Sequence, residues 1–296
     1  MKYLIAVLIF CIVLFLYLHI FFHFKTSNDL EVYTIERPSK EKLEEICDLR
    51  QPVMFTFNSK ELEKTFTLDN LNMNYSAFDI KMRDSNDINV DSTEMYLPLV
   101  FGEAREILKN DKREKYFTET NEDFLTETGL IRILRYNDLF LRPHLVSRCM
   151  YDFCSGSENC FTPLRYLLNY RNYLYVSQGS ARIKLIPPSA SKYLRTIKDY
   201  NNFEFRSPIN PWNIQEEYKK EFNRVKSLEI LLKKNDIIFI PAYWWFSVKY
   251  DNNTSICMFK YRTYMNTAAI LPDIVMSTLQ SLNTKHEIVD KIKNTL

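Results

Sequence analysis

Two stretches of the chain decide its fold. The first is "TPLRYLLNYRNYLYVSQGSARIKLIPP" at residues 162–188, and the second is "NDIIFIPAYWWFSV" at 235–248. Both consist of short runs of β-branched and aromatic residues that end at turn-forming residues. Gly179 fits a tight hairpin, and Pro187 and Pro188 end the strand after it, because proline has no N–H to donate to a ladder. These features predict antiparallel strands.

Other runs of the same character, most of them in the C-terminal half, predict a mainly β fold. The strands are expected at 52–57, 162–168, 172–178, 181–188, 236–250 and 255–264. Many short antiparallel strands favour a sandwich or jelly roll. A helical piece is expected at 103–117, and two amphipathic helices are expected in the tail from the spacing of Ile270, Ile274 and Leu282, then Ile288, Ile292 and Leu296. The predicted class is therefore mainly β with flanking helices (α+β).

The N-terminus predicts a membrane anchor. Residues 3–24, "YLIAVLIFCIVLFLYLHIFFHF", contain no Asp, Glu, Lys or Arg. A helix of this length spans the ~30 Å hydrocarbon core of a bilayer. The alternative is a cleaved signal peptide, whose apolar region is usually ~7–15 residues long and ends in small residues, unlike this one. We expect a single-pass membrane protein, and the positive charges after the span favour a cytoplasmic C-terminal domain.

The sequence predicts that the chain is divided into four segments. They are a transmembrane anchor at 1–25, a juxtamembrane linker at 26–40, a folded domain at 41–265 and C-terminal helices at 266–296. The linker is polar, and Ser39 is a suitable N-cap for the first helix of the domain.

Composition excludes two classes of function. The formal net charge is +2 and no basic face is clustered, so no nucleic-acid partner is expected. The four glycines stand far apart, at 102, 129, 156 and 179, whereas phosphate-binding loops need several glycines close together. Nucleotide sites of the Walker and Rossmann types are therefore excluded.

Three cysteines lie close together in the sequence. Cys149, Cys154 and Cys160 follow His144, but their spacing misses the short hairpin pattern of zinc sites. A zinc site, one disulfide and simply buried thiols remain as alternatives.

The two opening stretches resemble the JmjC and cupin-like group, most closely the factor-inhibiting-HIF type of asparaginyl hydroxylase. Members of that group have a double-stranded β-helix with a Thr-Pro-x-His-x-Asp strand, an Asn, a Gly turn and a strand ending in Pro-Pro, and later Gly-Asp-x-x-x-x-Pro-x-x-Trp-Trp-His. The resemblance covers roughly 36–265 and implies a JmjC or cupin-like jelly roll behind the anchor. The matching landmarks are Thr162, Pro163, Asn172, Gly179, Pro187, Pro188, Asp236, Pro241, Trp244 and Trp245.

The resemblance also assigns the metal-ligand positions. Active members hold Fe(II) with two His and one carboxylate and leave positions open for 2-oxoglutarate and oxygen. These ligands correspond to Arg165, Leu167 and Phe246 here. Leu and Phe have no lone pair, and a guanidinium stays protonated, so none of the three is expected to bind a metal. The resemblance places the degenerate cosubstrate pocket at Thr162, Asn172, Ala181 and Trp244, with Ala181 in place of a lysine.

One departure from the family pattern does not restore the site. The chain has one residue more between Thr162 and Asn172, and a shift by one would bring Tyr166 or Leu168 to the carboxylate position. No histidine occurs between 145 and 265, so no realignment gives a two-histidine site. We therefore expect an apolar pocket in which Leu167 and Phe246 face one another below the two tryptophans.

Two functions follow from these expectations. The first is a membrane-anchored, non-catalytic module that uses no cofactor and binds a protein or peptide or serves a structural role. In it, Arg165 either pairs with an anionic ligand, or pairs with a protein carboxylate or reaches solvent. The alternative is a divergent dioxygenase that uses Fe(II) and 2-oxoglutarate through a rearranged site, such as His144 with Asp152 and a cysteine. The tail at 266–296 either forms a homodimer or covers the barrel of its own chain.

Overall fold

The structure, a computed structural model, describes residues 2–85 and 95–293, with side chains up to 282. The α-helices are α1 Lys2–Phe24, α2 Lys40–Cys47, α3 Lys60–Thr65, α4 Leu68–Tyr75, α5 Phe101–Asn110, α6 Glu122–Glu127, α7 Ile131–Asn137, α8 Lys219–Phe222, α9 Tyr264–Ala269 and α10 Leu271–Lys293. The strands are β1 Tyr33–Ile35, β2 Val53–Thr56, β3 Asp79–Asp84, β4 Leu97–Val100, β5 Tyr116–Thr118, β6 Val146–Gly156, β7 Arg165–Tyr166, β8 Arg171–Gln178, β9 Ser180–Ile186, β10 Ile197–Asp199, β11 Glu204–Arg206, β12 Leu228–Lys233, β13 Asp236–Pro241, β14 Trp245–Tyr250 and β15 Ser255–Thr263.

The strands form two sheets. The larger sheet has the order β1-β2-β13-β8-β15-β6-β5-β3-β4, and the smaller has the order β10-β11-β7-β14-β9-β12. Neighbouring strands are antiparallel, except for the parallel pair of β1 and β2. The predicted mainly β class with flanking helices is therefore confirmed.

Apolar side chains pack in three layers, one between the two sheets and one on the outer face of each sheet. The interior cluster, which contains residues of both sheets, includes Leu174, Val176, Ala181, Ile183, Ile238, Phe246, Val248 and Met258. The helices from α2 to α7 pack on the other face of the larger sheet through residues such as Leu43, Leu62, Leu71, Phe124 and Leu134. The segments 188–194 and 209–225, which flank β10 and β11, cover the outer face of the smaller sheet through Leu194, Ile209 and Phe222. Central strands such as β8 are consequently buried on both faces.

The prediction of one strand over 236–250 was wrong. The chain forms β13 in the larger sheet and β14 in the smaller sheet, with a turn between them. Tyr243 has a positive φ of 66°, and the Trp244 N–H donates to the Pro241 carbonyl at 3.3 Å. The turn changes the direction of the chain, so Trp244 enters the interior cluster whereas Trp245 packs on the outer face.

The strand predicted at 162–168 is much shorter than expected. Only Arg165–Tyr166 pairs as a strand. The backbone on either side bonds elsewhere: the Thr162 N–H donates to the Val248 carbonyl at 2.8 Å, and the Leu167 carbonyl accepts from the Tyr243 N–H at 2.9 Å. The segment is therefore mostly extended backbone that bonds to β14 and to the turn before β14.

Two elements differ from prediction before residue 160. The helix expected at 103–117 is α5 followed by a turn and β5, because the chain pairs with β3 and β6 from Tyr116 onward. The long strand β6 was not predicted. Its C-terminal half is buried on both faces, so its sequence lacks the alternation of a half-exposed strand.

Two glycines are required by the packing of this core. Gly179 has a φ of +74° in the hairpin between β8 and β9, as predicted. A Cβ on Gly156 would lie 2.3 Å from the ring of Tyr250, which is fully buried. The aromatic ring therefore occupies the space that a side chain at 156 would need.

The first helix is long and apolar enough to cross a membrane, and a signal sequence meets the same criteria. None of its most apolar 18 residues is buried. Its last turn packs on the domain, where the ring of His23 lies 5.2 Å from that of Tyr170 and the ring of Phe24 lies 6.4 Å from that of Tyr243.

The tail forms a short helix and a long one. The predicted break between Leu282 and Ile288 is absent, since α10 is continuous. Ile270 is fully buried and Ile274 packs beside it on the domain, whereas Leu282 is exposed. The side chains of Ile288 and Ile292, and the whole of Leu296, lie outside the described residues.

Candidate functional site

The structure brings together the three residues at the positions that the resemblance assigns to metal ligands. Arg165 of β7 lies opposite Phe246 of β14, with its Cζ atom 5.8 Å from the centroid of the Phe246 ring. Phe246 belongs to the interior cluster, and Leu167 packs against that cluster. The guanidinium therefore lies at the edge of an apolar interior.

Arg165 is held by two buried glutamates. Its Nη1 donates to Glu119 Oε1 at 2.8 Å and to Glu204 Oε1 at 3.1 Å, and its Nη2 donates to Glu119 Oε2. The pair with Glu119 is thus bidentate, which is the strongest geometry for a guanidinium and a carboxylate. Arg165 is paired within the protein.

Two further arginines complete this buried group. Arg83 Nη1 donates to Glu119 Oε1 at 2.9 Å and to Glu204 Oε1 at 3.0 Å. Arg206 Nη1 donates to Glu204 Oε2 at 3.0 Å and to an Asp199 oxygen at 3.4 Å. We call the group the arginine–carboxylate network; its members are Arg83, Arg165, Arg206, Glu119, Glu204 and Asp199.

The arginine–carboxylate network joins the two sheets. Arg83 lies on β3 and Glu119 follows β5, both in the larger sheet. Arg165, Glu204 and Arg206 lie on strands of the smaller sheet. The hydrogen bonds between the two sets therefore connect the sheets at one end of the interior cluster.

The formal charges of the network balance. Its three arginines face three carboxylates, and Tyr96 adds a neutral donor to Glu119 Oε1 at 3.1 Å. Burial raises the pKa of Glu119, but Arg165 and Arg83 lower it more, so the pKa lies below the ordinary value of 4.5. Burial also opposes ionisation of Glu204, and Arg83 and Arg165 bring its pKa to about 2. Both glutamates are ionised at neutral pH.

Thr162 and Asn172, predicted for the cosubstrate pocket, are fully buried and bonded to the backbone. Thr162 Oγ1 accepts from the Val248 N–H at 2.9 Å. Asn172 Nδ2 donates to the Ile240 carbonyl at 3.1 Å and to the Asn169 carbonyl at 3.3 Å. Both side chains therefore fasten strand ends in this structure.

Ala181 and Trp244, the other two predicted pocket residues, lie in the interior cluster. The Trp244 indole N–H is buried and has no hydrogen-bond partner among the described residues. Lys184 lies on the opposite face of β9 from Ala181, and its ammonium donates to the Pro211 carbonyl at 2.9 Å. The lysine is therefore directed away from the interior.

The residues present do not fit the iron of active relatives. Arg165 is a cation already paired with carboxylates, and Leu167 and Phe246 carry no donor atom. Among residues 2–85 and 95–282, no group of three His, Cys, Asp or Glu side chains is arranged to hold a metal.

The rearranged metal site of the dioxygenase alternative, His144 with Asp152 and a cysteine, is not formed in this structure. His144 Nε2 lies 3.0 Å from a Glu44 carboxylate oxygen on the surface. Asp152 instead accepts from the backbone N–H groups of Thr120 and Asn121, at 3.0 and 2.8 Å. The two side chains have different partners.

The cysteines are free thiols. Cys149 and Cys154 lie five residues apart on β6, which places them roughly 16 Å apart along the strand and on opposite faces. Burial raises the pKa of Cys154 well above its ordinary value. Among the three alternatives, the structure has thiols without a disulfide.

Sequence reasoning missed the partners of Arg165. Glu119 lies 46 residues before it in the chain and Glu204 lies 39 residues after it. Such pairs leave no local pattern. The alternation of charged and aromatic residues in "EFR" at 204–206 was a local signal of the strand that carries Glu204.

The two facing sheets and their flanking helices are those of a cupin-like, mainly β protein. The model of the cupin-like domain matches residues 38–264, so the chain belongs to the cupin-like domain family. Over 129 residues the chain is 29% identical to the lysine-specific demethylase JMJ31 of Arabidopsis thaliana. That alignment covers 43% of this chain and 23% of the relative. The predicted cupin-like domain is thus confirmed.

The network predicts a large effect of one substitution. Glu119→Gln keeps the shape of the side chain but leaves the guanidinium groups of Arg165 and Arg83 short of a buried counter-charge. We expect the free energy of unfolding to fall by about 3–5 kcal/mol in denaturant titrations of the full chain in detergent. Because the pKa of Glu119 is below 4.5, the wild-type advantage is complete above that pH and decreases as the pH falls below it.

The matched control is an exposed bidentate pair. Arg195 donates to both carboxylate oxygens of Glu221, at 2.9 and 3.0 Å, on the surface. Glu221→Gln should cost much less, because solvent screens exposed ion pairs. Equal losses in the two variants would contradict a stabilising role of the network.

Proposed function

We propose that this chain is a membrane-anchored cupin-like domain that carries out no iron-dependent catalysis and acts as a binding or structural module. The proposal includes a domain of the factor-inhibiting-HIF type whose metal triad is lost at Arg165, Leu167 and Phe246. One observation carries it: Arg165 forms a buried bidentate pair with Glu119 at the position assigned to the first histidine ligand.

The non-catalytic role is favoured by electrostatics. A divalent cation beside Arg165 would be repelled by the guanidinium, and the carboxylates that could attract the cation are already paired with arginines. Displacing the guanidinium would leave it buried without a partner, which is costly. The retained function is then recognition or support, with a protein or peptide as the expected partner.

Metal retention separates this proposal from an Fe(II)- and 2-oxoglutarate-dependent dioxygenase. The full chain, purified in detergent, is loaded anaerobically with Fe(II), desalted and analysed for iron by mass spectrometry and for 2-oxoglutarate turnover. We expect no stoichiometric iron and no turnover, and the same for Phe246→His, because Arg165 and Leu167 remain. Only Arg165→His, Leu167→Asp and Phe246→His together should gain iron. Stoichiometric iron in the wild type would defeat the proposal.

The anchor is supported by the length, apolar composition and exposure of α1. We expect the full chain to stay in the membrane pellet during alkaline carbonate extraction, since a buried span resists that treatment. Release of the intact chain would rule out an integral anchor. Glycosylation at Asn74 or Asn252 would instead reverse only the proposed cytoplasmic side.

A homodimer through the tail, 266–296, is a further part of the proposal. In α10, Ile274 packs on the domain, whereas another set of apolar side chains is exposed. The exposed set is Leu271, Val275, Met276, Leu279 and Leu282. Two such faces could pair if the interface exceeds ~1,000 Å², and a shared membrane would raise their effective concentration.

Dimer formation is tested without cutting into the core. Leu279→Glu places a charge on the exposed face, so we expect it to shift the full chain from dimer to monomer in light scattering. Ser281→Glu adds the same charge to an exposed neighbouring position and should leave the dimer intact. A monomeric wild type would contradict the homodimer.

A further inference from the structure

The guanidinium of Arg50 lies where α1 meets the domain. Its Cζ atom is 4.8 Å from the ring centroids of both Phe22, near the end of α1, and Tyr170, just before β8. Arg50 is only 4% exposed, and its Nε and Nη2 atoms have no hydrogen-bond partner among the described residues. A buried cation with unsatisfied N–H groups is costly, so an acceptor from outside the chain would be stabilising.

Asp48, an acidic side chain that acts electrostatically on Arg50, is also engaged by other groups. Asp48 Oδ1 accepts from the Tyr170 hydroxyl at 2.8 Å and pairs with Arg171 at 3.4 Å. Burial lowers the pKa of Arg50, whereas Tyr170 and Asp48 raise it and the positive charge of Arg171 lowers it, so the pKa lies below its ordinary value. The chain therefore compensates the charge of Arg50 only in part.

A second unsatisfied group lies at the same junction. His23 is buried and its ring contacts that of Tyr170, and its Nδ1 atom has no partner among the described residues. Leu49, the neighbour of Arg50, is 53% exposed, and Lys25 is exposed directly after α1. An apolar side chain and positive charges thus surround the end of the apolar helix.

This arrangement suits an anionic group at the surface of a bilayer. With α1 inserted, as proposed above, its last turn lies at the level of the lipid phosphates, and basic side chains there attract anionic lipids. A guanidinium binds phosphate oxygens through charge-assisted hydrogen bonds. We propose that Arg50, with His23 and Tyr170 beside it, binds a phosphate-bearing anion that is the headgroup of an anionic phospholipid.

Lipid retention tests the site. The full chain is assembled in nanodiscs of equal parts phosphatidylcholine and phosphatidylglycerol, transferred to detergent, and analysed by native mass spectrometry. We expect phosphatidylglycerol to be enriched on the wild type over its share in the nanodisc. We expect about tenfold weaker retention for Arg50→Gln, because a charge-assisted hydrogen bond is lost. The control Arg148→Gln removes an exposed positive charge on β6 and should retain the lipid.

A second measurement identifies the source of the phosphate. Melting temperatures of wild type and Arg50→Gln are compared with inorganic phosphate and with short-chain phosphatidylglycerol. A shift with the lipid alone supports the headgroup, and an equal, Arg50-dependent shift with inorganic phosphate would support the anion site but overturn its lipid source. No enrichment on the wild type would overturn the site even if the variant fails to fold.

Different experimental results would contradict the proposed anchor and the proposed lipid site. A wild-type chain that alkaline carbonate releases from membranes defeats the anchor and the headgroup with it. A chain that stays in the pellet but retains no phosphatidylglycerol overturns the lipid site alone.

Discussion

The bidentate pair between Arg165 and Glu119 is the contact on which the connection of the two sheets at one end of the interior cluster depends. This buried ion pair connects β7 of the smaller sheet to the end of β5 of the larger sheet. The force that holds these strands together is electrostatic attraction between side chains of one chain.

The arginine–carboxylate network can be buried because its positive and negative formal charges balance. A single buried arginine would be costly, and a single buried glutamate would take up a proton. Three arginines and three carboxylates, with Glu204 as a bridge, keep both glutamates ionised at neutral pH. Removing one partner from such a group is strongly destabilising, whereas replacing the whole group by well-packed apolar residues is often neutral or stabilising.

The parts of the fold that could be predicted from sequence have local signals. Turn residues and β-branched runs indicated the strands around Gly179, and the apolar run indicated α1. The turn at Tyr243 was not predicted, because a positive φ on a tyrosine depends on tertiary packing and has no signature in the neighbouring residues. Arg165 could be singled out from the family pattern, but its partners, Glu119 and Glu204, come from distant segments, and only the packing of the two sheets brings them together.

The shared bridging of Glu119 and Glu204 has a consequence for how the sequence can change. A histidine at position 165 would remove the bidentate partner of Glu119 and leave that buried carboxylate with Arg83 as its one guanidinium partner among the described residues. A histidine at 165 should therefore lower the stability of the domain, because Glu119 keeps its full set of partners only while the guanidinium is present. Arg165 is in this sense entrenched: its replacement affects a buried carboxylate from a distant segment of the chain as well as its own position.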